Sequence, residues 1–265
     1  MSDLFEGKIC IVTGGTSGIG YAVSEALLKR GALVYLVGIP EESVEAARAQ
    51  FTDFDNARFA VVDVTNYDDV QKIVDKAVAE NGRLDYMFNN AGIGGTVPFE
   101  TVTLEMWKKI IDINLWGVIH GVHAAFPVMM KQGFGHMVNT ASVAGIVPIP
   151  YQATYCTTKY AVTGLTEALR YEHAHRGIAF STVCPSNVAT PIFGDAEPPK
   201  DAISPEIAAE YILAGVERKE GIIVFPEQLI EQYLVFKCDQ EKLDAHMFEE
   251  ADARRKAFET GGSYY

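Results

Sequence analysis

The chain has 265 residues, 48% of them hydrophobic and 22% charged, which is ample material for a globular core. Its formal net charge of −13 excludes the basic surface that phosphate-backbone binding requires, so nucleic acid is not an expected partner. Cys10, Cys156, Cys184 and Cys238 are scattered without a CxxC pair, which points to reduced thiols and away from a disulfide framework or a zinc site.

The opening MSDLFEGK has no basic segment followed by an apolar run. No apolar stretch approaches the roughly 18 residues of a membrane span, so no span and a cytoplasmic location are expected. In chain order, KICIVT (8–13) reads as a first strand, and TGGTSGIG (13–20) leads into a helix near 18–30. ALVYLV (32–37), a helix near 41–50, ARFAVVDV (57–64), a helix near 66–80 and LDYMFNN (84–90) follow. A long helix over 103–131, GHMVNTA (135–141), a helix over 152–175, GIAFSTVC (177–184), a helix over 205–219 and GIIVF (221–225) complete the alternation.

The strands are rich in Val, Ile and Phe and mostly lack polar alternation, as strands covered on both faces do. Alternating strand and helix with short connections predicts one α/β domain over 1–265: a doubly wound, mostly parallel, seven-stranded sheet flanked by helices. Gly31 and Gly82 fall where a helix hands over to a strand, and Ser204-Pro205-Glu206 reads as a helix start. Two segments stand apart, a Pro- and charge-rich loop at about 190–204 and a tail from 226 to 265.

Gly14, Gly18 and Gly20 follow the first strand and open the first helix, the context in which a glycine loop lets backbone approach a pyrophosphate at a helix N-terminus. The spacing is G-x-x-x-G-x-G, and over residues 7 to 225 the chain resembles the short-chain dehydrogenase/reductase family. NNAG (89–92), Asp63 in VVDV, Asn114 in DINLWG, Ser142 in NTASVAG, and Tyr155 with Lys159 carry the resemblance. Thirteen positions separate Ser142 from Tyr155, as the family pattern expects. CPSNVATP (184–191) resembles the segment beside the nicotinamide, with Ser186 where glycine is usual.

The resemblance implies a Rossmann fold and a nicotinamide cofactor, with Asn114, Ser142, Tyr155 and Lys159 as catalytic residues. Cofactor contacts are then expected from Gly14, Thr16, Ser17, Gly18, Ile19 and Gly20, from Gly38 and Ile39, and from Asp63 and Val64, with Asp63 on the adenine ring. Asn90, Ala91 and Gly92, then Tyr155 and Lys159, then Pro185, Val188 and Thr190 complete that set.

Hydride transfer at a carbinol carbon needs a group that takes or gives the hydroxyl proton. A free tyrosine has a pKa near 10, too high for an efficient base. Lys159 lies one helical turn beyond Tyr155, and at about 5 Å with an effective dielectric near 20 its ammonium favours the phenolate by roughly 3 kcal/mol. By resemblance Lys159 also holds the nicotinamide ribose, and Asn114 holds a water in a proton relay that begins at Lys159. Ser142 would hydrogen-bond the substrate oxygen.

Other chemistries find less support. No G-x-S-x-G surrounds Ser142, Ser181 or Ser186. The six histidines form no metal-ligand pattern with nearby carboxylates, so no metal is expected, and Cys156 points about 100° away from Tyr155 around the helix. A protein that binds NAD(H) without turnover is the alternative from another class. Such a protein is expected to lose catalytic positions, and all four are present. Enoyl reduction on the same cofactor is a further option.

Cofactor choice is usually written at the end of the second strand, as an acidic residue for NAD or an arginine for NADP. Gly38 and Ile39 give neither. The glycine loop has no Lys or Arg, and Glu41 and Glu42 follow, so NAD is favoured over NADP. The family builds its substrate wall from the loop after the sixth strand and the tail, which here suggests Ile192 and Phe193. Ser142, Val143, Ile149, Tyr151 and Ser186 are expected nearby. Their mostly apolar character favours a hydrophobic secondary alcohol or ketone of steroid, terpenoid or hydroxyacyl type. By resemblance, dimers or tetramers form through the helices at 103–131 and 152–175.

Overall fold

In the computed structural model, residues 3–226 and 238–260 are described. Seven strands form one sheet in the order β3-β2-β1-β4-β5-β6-β7, and every pairing is parallel. The strands are β1 Ile9–Thr13, β2 Leu33–Gly38, β3 Ala57–Val61, β4 Tyr86–Asn89, β5 Gly135–Thr140, β6 Ile178–Pro185 and β7 Ile222–Phe225. The helices are α1 Gly18–Lys29, α2 Glu41–Gln50, α3 Tyr67–Asn81, α4 Leu104–Ile111, α5 Gly117–Gln132, α6 Ala153–His173, α7 Pro205–Glu217 and α8 Gln240–Glu259.

Alternation along the buried strands divides the core into two layers. Cys10 and Val12 of β1 join Val34, Leu36 and Phe88 under α1 and α7, with Leu27 and Ile212 among the buried helix residues. Ile9 and Ile11 face the other way, joining Val37, Met87 and Met137 under α3, α5 and α6. Both faces are covered, so the strands carry continuous apolar runs and not an in–out alternation. Gly82 caps α3 at φ 72°, and the Ser204 hydroxyl accepts from Ile207 N (3.3 Å) to start α7 with Pro205 in its first turn.

Two expectations are corrected. The third strand ends at Val61, so Asp63 and Val64 lie just beyond it, where Asp63 Oδ1 accepts from the Thr65 amide (2.9 Å) and hydroxyl (2.8 Å). The helix expected over 103–131 is interrupted by a π-helical turn, Asp112–Trp116, which separates α4 from α5. Within Leu104–Gln132, an 18-residue window has a mean hydropathy of 1.2, apolar enough by composition alone to cross a bilayer. In this fold the segment packs on β4 and α3, and it carries the internal π turn. Of the tail, 227–237 and 261–265 lie outside the described residues.

Buried polar groups tie the sheet together. Asn89 and Asn139 are register partners on β4 and β5. Asn89 Nδ2 donates to Asn139 Oδ1 (2.8 Å), whose own amide donates to the Thr166 hydroxyl (3.0 Å). Gly121 on α5 leaves room for them: a Cβ there would sit 1.7 Å from Asn89 Oδ1.

His136 on β5 is buried and bonds through Nε2 to the Ser181 hydroxyl (2.8 Å). Burial and then the Lys219 charge lower its pKa from 6.5 to about 3, so it folds as the neutral imidazole. The unfolded chain binds a proton on this residue from pH 6.5 downward and the folded chain does not. Its contribution is therefore fully present above pH 6.5 and is lost between 6.5 and about 3. At pH 5 the loss is about 2 kcal/mol. Urea unfolding at pH 7 and pH 5 should show that drop in the wild type and a flatter dependence in His136→Asn; equal slopes would remove His136 as the cause.

Candidate active site

The sheet order reverses beside β1, whose neighbours β2 and β4 send their following connections to opposite sides. That divergence opens a crevice at the carboxyl ends of the strands. The glycine loop borders it from β1. Gly18 has φ 52°, a conformation that favours glycine, and a Cβ there would lie 3.1 Å from the Thr190 side chain. Gly20 is a close approach, since its Cβ would stand 2.2 Å from Gly14 O and 2.6 Å from Asn90 Nδ2. Thr13, which sequence reasoning did not single out, stitches the loop to β4. Its hydroxyl accepts from the Asn90 and Ala91 amides (2.9 and 3.1 Å) and donates to Phe88 O (3.3 Å). A small hydroxyl residue closing the strand just before the glycines was the available signal.

A cavity of about 930 Å³ fills the crevice. It brings together, from the expected cofactor set, Gly14, Ser17, Gly18, Ile19, Asn90, Ala91, Gly92, Pro185, Val188 and Thr190. It also gathers Ser142, Tyr155 and Lys159, and from the expected substrate set Val143, Ile149, Ser186, Ile192 and Phe193. Thr16, Gly20, Gly38, Ile39, Asp63 and Val64 are not in its lining. Thr16 shares a hydrogen bond with the Ser43 hydroxyl (2.9 Å) at the start of α2, and a Cβ on Gly38 would meet Thr16 Oγ1 at 2.9 Å.

Tyr151 is also outside that lining. It borders a smaller pocket of about 190 Å³ with Val97 and Phe99 and stacks on Phe258 of α8. Its φ of 63° turns the chain just ahead of α6.

Lys159 lies one turn after Tyr155 on α6, with its Nζ 5.4 Å from the centre of the Tyr155 ring. The ammonium donates to Thr140 O (3.0 Å) at the end of β5, and the residue is only 3% exposed. Burial lowers its pKa from 10.5 to about 8. Ser142 follows β5, where its hydroxyl donates to Pro185 O (3.4 Å) and accepts from Ala144 N (3.1 Å).

Asn114 sits in the π turn and is fully buried. Its carboxamide brackets the backbone of Ile93: Oδ1 accepts from the amide (2.8 Å), and Nδ2 donates to the carbonyl (2.9 Å). Gly92 lies between the two polar side chains. A Cβ on it would be 3.3 Å from Asn114 Oδ1 and 3.6 Å from Lys159 Nζ. The extra residue of a π turn is what directs the Asn114 side chain at this loop. Among the described residues no three His, Cys, Asp or Glu side chains converge as a metal site would require. Burial raises the thiols of Cys10, Cys156 and Cys184, the last to about 12, so each stays protonated.

Lining residues that the sequence reading missed are Thr140 at the end of β5, Ile93, Gln152 and Asn187 in loops, and Glu250 with Arg254 from α8. Nothing in the local sequence around 250 marks it as part of a site 100 residues away from Pro150.

The short chain dehydrogenase family matches residues 8–201. Levodione reductase of Leifsonia aquatica is 35% identical over 222 residues, which are 82% of this chain and 83% of that protein. Cyclohexanol dehydrogenase of an Acinetobacter species is 34% identical over 199 residues, 74% of this chain and 79% of that protein. A short chain dehydrogenase/reductase of Burkholderia phymatum, solved in complex with NAD, superposes with a TM-score of 0.82 at 25% identity, covering 91% of this chain and 96% of the other.

Proposed function

Because the chain belongs to the short chain dehydrogenase family, an oxidoreductase family with nicotinamide-bound members, we propose that it moves a hydride between NAD and a mainly hydrophobic secondary alcohol or ketone. The observation that carries this reading is the convergence of Ser142, Tyr155 and Lys159 on the cavity that the glycine loop borders.

The residues suit a dinucleotide. Gly14 and Gly18 line the cavity with backbone at places where a Cβ would press on Ala91 and on Thr190, and the N-terminus of α1 faces the same space. Gly14, Ser17, Gly18 and Ile19 would hold the pyrophosphate end; Asn90, Gly92, Tyr155, Lys159, Pro185, Val188 and Thr190 would hold the nicotinamide end. When bound, the nicotinamide supplies the hydride acceptor or donor.

Within the chain, Tyr155 exchanges the proton of the substrate hydroxyl. The neighbouring Lys159 ammonium favours the phenolate electrostatically. Ser142 orients the substrate oxygen and offsets charge that develops on it. Asn114 acts on the Ile93 backbone, fixing the loop that carries Gly92 beside Lys159. Val143, Ile149, Ile192 and Phe193 exclude water from the reacting carbon and favour an apolar substrate body. The names of the levodione and cyclohexanol relatives support an alicyclic ketone or alcohol.

For the cofactor, Ile39 is 54% exposed at the end of β2, and Glu41 and Glu42 occupy the first turn of α2. A 2′-phosphate near these carboxylates meets repulsion, which supports NAD. Exposed Leu104, Trp116, Tyr160 and Tyr171 on α4, the π turn and α6 support assembly of several copies through these helices.

A panel of secondary alcohols read by absorbance of the reduced cofactor tests the activity. The expected kcat/KM with NAD exceeds that with NADP by tenfold or more. An NADP preference overturns the cofactor assignment, and no turnover with either cofactor overturns the function.

A further inference from the structure

Helix α8 places Glu250, Arg254 and Phe258 four residues apart, on one face. That face lies against the turn between β5 and α6. The Phe258 ring stacks on Tyr151 (5.2 Å between centres, 25° between planes), and Arg254 Nη1 donates to Pro150 O (3.2 Å). Arg254 Nε is 3.5 Å from the Glu250 carboxylate, and the residue is 9% exposed. Glu250 and Arg254 also line the main cavity, and Arg254 is held there by its bond to Pro150, next to Ile149 in the chain.

Apolar contact of the Phe258–Tyr151 kind is enough to dock a helix. A buried guanidinium costs desolvation, and a hydrophobic residue of similar volume commonly docks as well or better. Beside the apolar side chains of Val143, Ile149, Ile192 and Phe193, Arg254 brings to the lining a planar guanidinium, a group that donates several N–H bonds and whose Nη1 is held by Pro150 O. Glu250 already balances its charge, so a neutral oxygen is better matched to it than a second carboxylate.

We propose that Arg254 is a specificity-determining residue. On this assignment the substrate carries, away from its reacting carbon, a second uncharged oxygen that accepts a hydrogen bond from this guanidinium. The proposal rests on the oxidoreductase reading above and names the substrate class within it: a diketone or hydroxyketone with an alicyclic body.

The test uses the full chain with NADH or NADPH and matched cyclic ketones, cyclohexanone against cyclohexane-1,4-dione and a bicyclic monoketone against its dione. Arg254→Met is expected to raise KM for the diones about tenfold, with kcat little changed and the monoketones affected less than twofold. Arg254→Lys is expected to recover part of the loss, and it reads the same split should Arg254→Met fail to fold. Equal KM rises for both members of a pair would mean that Arg254 only docks the helix, and unchanged values would mean that it does nothing for the substrate. Either result overturns the proposal, as does a wild-type preference for 4-oxocyclohexanecarboxylate over the dione. Turnover without the predicted split removes this inference alone. No turnover of any ketone removes the oxidoreductase reading together with it.

Discussion

Tyr155→Phe is expected to lower kcat for alcohol oxidation by about 10²- to 10⁴-fold, the range a positioned acid–base group supplies. NAD affinity should stay within about twofold. The substitution deletes one oxygen and keeps the ring, which is half-buried at the cavity and lies beside Lys159. Packing and the glycine loop are therefore left alone while the proton-exchanging group disappears. Steady-state rates together with a cofactor titration by fluorescence separate these effects. A variant with wild-type kcat would show that proton transfer occurs elsewhere, and a variant that has lost NAD binding would show that the ring is a structural support.

Lys159→Met should split activity from stability. The enzyme is expected to lose at least about 100-fold in kcat, because the phenol loses the charge that favours its ionised form. The fold is expected to gain. Lys159 is buried, and its pKa falls from 10.5 to about 8. Between these values the unfolded chain binds a proton that the folded chain has given up, so stability rises with pH through that window. The cost of burying the ammonium is thus fully present below pH 8 and relieved toward pH 10.5. At pH 7 it is about 3 kcal/mol, partly offset by the hydrogen bond to Thr140 O that methionine cannot make. Urea unfolding should show Lys159→Met as the more stable protein at pH 7, with the advantage shrinking by pH 10. A less stable variant at pH 7 would mean that the charge is well solvated by its surroundings. Such a gain on loss of function is the usual mark of a site held at a cost to the fold.

The contrast between Asn114 and Tyr155 shows how far residues alone carry. Tyr155 and Lys159 are four apart on one helix, so their proximity follows from helix geometry and was legible at once. Asn114 stood out as a poor helix former, yet two of its bonds go to Ile93, 21 residues back, and the π turn that aims it adds one residue to a helix without altering its apolar pattern. Periodicity cannot register a single inserted residue. Tyr151 was expected beside the substrate, with Val143 and Ile149. A left-handed φ turns it instead toward Phe258, a residue from the far end of the chain.

What the sequence determined by itself was local or strictly periodic: seven apolar strands, the helices between them, the glycine loop, and the pair on α6. These depend on neighbours within a few positions, where side-chain spacing alone decides what can meet. What only the tertiary structure decided was which residues of distant segments close the cavity. Arg254 reaches Pro150 across 104 residues of chain, and no propensity or spacing encodes a contact whose partners meet only after the sheet has formed. Packing of the completed layers selects those contacts, so the substrate side of the site is a property of the assembled fold.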